Sequence, residues 1–73
     1  MQLETGAQLR LIVNGEATET DARTLADLIA RLGFGETAVA TALNGDFVPR
    51  GKRAQTRLAM NDAIEIVAPR QGG

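Results

Sequence analysis

Apolar residues are not spread evenly along this chain; they come in short blocks whose spacing changes from block to block. In Leu9–Val13, LRLIV, the side chains of Leu9, Leu11 and Val13 fall on one face and those of Arg10 and Ile12 on the other, the period of a strand. Asn14-Gly15 follows at once. That pair accepts the positive φ of a two-residue type I′ turn, so LRLIVNGEATET predicts a hairpin with Glu16–Thr20 returning. A different period opens at Thr24. Leu25, Leu28, Ile29 and Leu32 form a helical stripe, with Thr24 as cap, Asp27 three residues on and Gly33 at the left-handed terminal position. The stripe is expected to face the core, with Arg23 and Arg31 on the solvated side and Gly35 in the connection out of the helix.

Alternation then resumes. Val39, Thr41 and Leu43 interleave with Ala38, Ala40 and Ala42 as a third strand, the small alanines allowing close approach of a neighbouring element. Asn44-Gly45-Asp46 turns the chain into Phe47 and Val48. Pro49 cannot donate to a ladder, so that segment is expected to be short and at an edge. GKRAQTR is a polar connection with room for one helical turn, and Leu58 and Met60 are expected to plug the bottom of the core. A turn at Asn61-Asp62 leads into the last strand, with Ile64 and Ile66 on one face, Glu65 and Val67 on the other, ended by Pro69. The order is hairpin, helix, strand, edge strand, final strand, an α+β arrangement of one helix on one sheet. Residues 1–8, MQLETGAQ, lack a pattern and read as a loose arm; 9–68 form the domain, and 69–73 a flexible tail ending in two glycines.

Composition removes most chemistry. In 73 residues there is room for one small domain, burying roughly 60% of the unfolded chain's surface. Cys, His, Tyr and Trp are absent, and so is Ser, which takes away thiolate metal sites, the usual general base, the usual hydroxyl nucleophile and stacking side chains. Carboxylates, Thr and one lysine, Lys52, remain; a pair such as Glu16 and Glu19 reads as solvated surface. Eight basic and nine acidic residues are interspersed, so no basic stripe points to nucleic acid. No apolar run approaches the roughly 20 residues of a membrane span, and a soluble, cytoplasmic protein is expected.

VNGE, TLADLIARLG, ALNGDFVPR, LAMNDAIEIV and the terminal QGG, in that order and spacing, resemble the ThiS family of sulfur carrier proteins from thiamin biosynthesis, over about Leu9–Gly73. The resemblance implies a ubiquitin-like β-grasp fold, a mixed sheet of four to five strands packed on one helix, with the first and last strands parallel neighbours. It also implies a carrier, not an enzyme, whose C-terminal Gly73 is adenylated and converted to a thiocarboxylate, while Gln71 and Gly72 thread into the partner. No cofactor is bound; ATP and Mg²⁺ belong to the activating partner. That partner is an E1-like adenylating enzyme of ThiF type, with a cysteine desulfurase or rhodanese as sulfur donor and a thiazole synthase of ThiG type as acceptor. Asn61-Asp62 stands where relatives often carry Gly-Asp, a change the turn tolerates. The small subunit of molybdopterin synthase and a ubiquitin-like modifier conjugated to lysine are the alternatives. Ile12, Phe47 and Val67, apolar on the face away from the helix, are candidates for a partner-docking surface.

Overall fold

A computed structural model describes residues 8–34 and 38–68. Five strands, β1 (Leu9–Val13), β2 (Glu16–Thr20), β3 (Ala40–Leu43), β4 (Asp46–Val48) and β5 (Ala63–Val67), form one mixed sheet in the order β2-β1-β5-β3-β4. β1 and β5 run parallel and the other neighbouring pairs antiparallel. One helix, α1 (Leu25–Arg31), and a 3₁₀ segment, Arg50–Gln55, complete the domain.

Local chemistry explains each boundary. Asn14, Asn44 and Asn61 hold φ of 51°, 51° and 71°, and Gly15 and Gly45 follow the first two at 85° and 88°, so both Asn-Gly pairs turn as the sequence predicts. Thr24 caps α1, its hydroxyl accepting the Asp27 N–H at 3.1 Å. The Asp27 carboxylate turns instead to Arg31, 3.2 Å away, which also pairs with Asp21. The hydrogen bond that Arg31 donates to Asp27, joined by the charges of both acids, raises its guanidinium above the ordinary range. At the other end Gly33, at φ 89°, donates to Ala30 O, and Phe34 donates to Ile29 O, the paired bonds of a Schellman stop. A Cβ on Gly33 would meet no neighbour, so the glycine is needed for its backbone conformation alone.

The core lies between α1 and the inner face of the sheet: Leu11, Ile64 and Ile66 from the strands, Leu25, Leu28 and Ile29 from the helix, with Ala22, Val48 and Leu58 closing the sides. Two expectations fail here. Leu32 is 41% exposed, because the helix ends at Arg31 and the chain reverses through Gly33, bringing Phe34 against the core. Met60 is 54% exposed; it sits in the turn before β5, its sulfur accepting the Arg10 N–H, and Leu58 alone takes the plugging position. The expected arm falls almost wholly outside the described residues, as do Gly35 and Pro69; β5 already ends at Val67.

β5 carries more hydrogen bonding than its own ladder supplies. Asn14 N–H donates to Ile64 O, and two residues further along β5 the Asn14 side chain takes over: Ile66 N–H donates to its Oδ1 at 2.8 Å and its Nδ2 donates to Ile66 O at 3.2 Å. The amide group extends the parallel ladder past the point where the backbone has turned away. Asn44 does the same at the other end, accepting the Ala63 N–H on Oδ1 at 2.8 Å and donating through Nδ2 to Asp62. Asn14→Gly keeps the left-handed turn and loses both side-chain bonds, which should cost about 1–3 kcal/mol. Asn14→Ala should lose about 1–2 kcal/mol more, because Ala also resists positive φ. Urea unfolding midpoints measure both; a glycine variant as stable as wild type would show that the side-chain bridge adds nothing.

Candidate functional site

The outer face of the sheet is built by alternation. Residues whose neighbours in sequence point to the core must point away from it, and the registers Ile12↔Ala17, Ile12↔Ala63, Ala40↔Val67, Ala42↔Glu65 and Ala42↔Phe47 align them across the strands. Ile12, Phe47 and Val67 lie on this face and are 42%, 69% and 61% exposed, so the three side chains singled out from the sequence share one face while standing on three different strands, β1, β4 and β5. Alanines at 40 and 42 lie between Phe47 and Val67 and keep the ground between them low. They do not serve close approach of the helix, since Ala40 is exposed on the opposite face. Glu65 is the exposed charge in the middle of the apolar ground, and the Arg10–Glu19 ion pair, at 3.3 Å, closes one margin. Phe47 is not part of the buried core cluster, whereas Val48 beside it is.

β5 passes through the middle of this face and ends at Val67, paired with Ala40. Gln71, Gly72 and Gly73, the residues expected to carry the chemistry, lie outside the described residues. What the structure shows is their attachment point: a strand paired on both sides and held by asparagine side chains at both ends.

One concavity, of about 390 Å³, is bounded by Gln8, Arg10, Glu19, Met60 and Asn61, every one of them exposed. Among the described residues no three acidic groups gather to hold a metal ion, and no helix is long and apolar enough to cross a membrane. The sequence missed the side chains of Asn14 and Asn44, read only as turn formers, and Arg53, read only as part of a polar connection. Arg53 is in fact buried, donating to Thr41 Oγ1 and Val39 O. No local signal marks these contacts, which join residues far apart in the chain.

One helix laid on a mixed five-stranded sheet, with parallel β1 and β5 side by side, defines a ubiquitin-like β-grasp protein. The model of the ThiS family matches residues 6–73, and the chain belongs to that family of small sulfur carriers in thiamin biosynthesis, which are not enzymes. A crystal structure of the thiamine biosynthesis protein ThiS from Geobacter metallireducens is similar, with a TM-score of 0.74 and 28% identity over 89% of this chain and 100% of that one. No curated protein sequence matches the chain.

Phe47→Asp should leave the unfolding free energy within about 0.5 kcal/mol of wild type, as for an exposed position outside the core. A cooperative melt displaced by several degrees would instead show that Phe47 shields the core.

Proposed function

We propose that the chain carries sulfur as a thiocarboxylate on Gly73, taken as its terminal residue, and hands it to a thiazole-forming enzyme. The observation that supports this most is the placement of β5. A strand held on both sides is a firm base from which Pro69–Gly73, about 17 Å when extended, can enter another protein's cleft. Gly72 and Gly73 bring backbone without Cβ, suited to a narrow channel, and Gln71 leads them in.

An α-carboxyl group has a pKa of about 3.5, so at neutral pH the terminus is a carboxylate, resonance-stabilised and unreactive toward nucleophiles. Activation supplies the missing electrophile. A carboxylate oxygen attacks the α-phosphorus of ATP in the E1-like partner, pyrophosphate leaves with Mg²⁺ balancing its charge, and an acyl adenylate forms. The terminal sulfur of a partner persulfide then attacks the acyl carbon and AMP departs. A partner thiol cleaves the resulting acyl disulfide, becoming a disulfide itself and leaving the sulfur on Gly73. A desulfurase or rhodanese supplies the persulfide from cysteine or another sulfur donor. None of these steps asks for a reactive side chain on this chain, consistent with a composition lacking Cys, His and Ser. Ile12, Phe47 and Val67 would dock the activating enzyme, with Glu65 meeting a basic group there.

Intact-protein mass after incubation with the activating enzyme, ATP, Mg²⁺ and a sulfur donor tests the chemistry. Wild type should gain the difference of one sulfur for one oxygen, localised to Gly73. Deleting Gly73, or adding a residue after it, should abolish the gain with the melt unchanged, because the reacting carbon moves about 3.4 Å from its place. Gly72→Val should be nearly as damaging, since a β-branched side chain restricts the backbone and adds bulk. Equal conversion of the truncated chain, or lysine-linked adducts in place of the mass gain, would overturn the proposal. Phe47→Asp should weaken binding to the activating enzyme about tenfold or more, the loss expected of an anchoring aromatic; unchanged binding would remove this face from the interface.

A further inference from the structure

Arg53 is 8% exposed, yet no carboxylate pairs with it among the described residues. Its two hydrogen bonds go to neutral oxygens: Nε donates to Thr41 Oγ1 at 3.0 Å and one Nη to Val39 O at 2.5 Å. Thr41 Oγ1 in turn donates to Val48 O at 2.9 Å, so the hydroxyl is fully engaged. A guanidinium has five N–H donors, and a buried cation without an anion bears a desolvation cost that two neutral acceptors only partly offset. Asp21 and Asp27 are both paired with Arg31 instead.

Arg53 also lines a cavity of about 200 Å³ between α1 and the 3₁₀ segment, together with Ala26, Ile29, Arg50 and Ala54. Arg50 is exposed and, like Arg53, lacks a carboxylate partner among the described residues. One buried and one exposed guanidinium thus share a small cleft with apolar walls. Its volume lies below the roughly 300–1,000 Å³ of sites for whole small molecules and suits a single acidic side chain. Ala26, Ile29 and Ala54 would meet the methylenes while the two arginines take the oxygens in the forked geometry that guanidinium and carboxylate share. Its position singles out a protein as the source. Val39, which Arg53 holds, adjoins Ala40, the partner of Val67 at the end of β5, so a protein gripping the tail would reach this cleft.

We propose that the cleft formed by Arg50 and Arg53 beside α1 receives the carboxylate of a Glu or Asp side chain from the protein that engages the C-terminal tail. This rests on the carrier function proposed above. The test is a titration of the full chain, followed through the arginine Nε–Hε NMR signals, with N-acetyl-glutamate methylamide and with acetate, against phosphate and chloride at constant ionic strength. Both carboxylates should shift the Arg53 signal saturably and leave Arg57 unmoved. Affinity should fall about fivefold or more in Arg50→Ala, an exposed position whose change leaves the core intact, and in Arg53→Lys, which keeps the charge but not the planar fork. Absence of a saturable shift, or tighter binding of phosphate than of the glutamate probe, would overturn the proposal. So would carboxylate binding that emerges only after Glu36→Gln or removal of residues 69–73, since the chain's own acid would then fill the cleft. None of these readouts involves sulfur transfer, so a failure here and a failure to form the thiocarboxylate remain separate results.

Discussion

Everything in this domain is arranged around the pairing of β5 with β1 on one side and β3 on the other. The parallel contact joins positions 52 residues apart at Asn14 and Ile66, so it closes most of the chain into one loop. Such closure costs conformational entropy that grows only slowly with loop length, but it must be met by something. Here it is met by Ile64 and Ile66, both buried under the helix, and by hydrogen bonds on both strand edges. The asparagine side chains matter because they continue that bonding beyond the backbone ladder. Each one converts a turn, where a strand would ordinarily lose contact with its neighbour, into a further point of attachment.

The same sheet divides the chemistry of the molecule in two. On its inner side, apolar burial holds the helix, and the one buried charge, that of Arg53 among the described residues, ties the 3₁₀ segment to the start of β3. On its outer side, residues of the same strands stay exposed and apolar, at a position in the register that only alternation decides. A one-residue slip in β5 would bury Glu65 and expose Ile64. The two faces are therefore locked to each other, and the exposed one is as strongly specified as the core.

Much of this was legible in the chain, and for local reasons. Asn14-Gly15 and Asn44-Gly45 announce turns because positive φ is a property of those residue types, and Thr24 and Gly33 bracket the helix by the same kind of short-range rule. Inward and outward faces of β1 and β5 followed from alternation alone. Strand order did not: nothing within β5 says that β1 lies beside it, and that came through the family resemblance. Leu32 and Met60 were misplaced because apolar character was taken for burial at the ends of elements, where the chain reverses and the core gives out. Arg53 was hidden for the opposite reason, since a charged residue in a polar run gives no sign that a threonine hydroxyl and a carbonyl twelve and fourteen residues earlier await it.

The place of the central strand in synthesis has its own consequence. β5 is the last of the five strands to leave the ribosome, and a domain folds as a unit, so the sheet cannot close before β5 is out. Until it arrives, β1 and β3 have no common neighbour. The tail that follows β5 is therefore mounted on a finished sheet or on none. A truncated or misfolded copy would lack the rigid base beneath its terminus, and a partner that recognises the terminus only in that setting would pass over damaged copies without any separate inspection step.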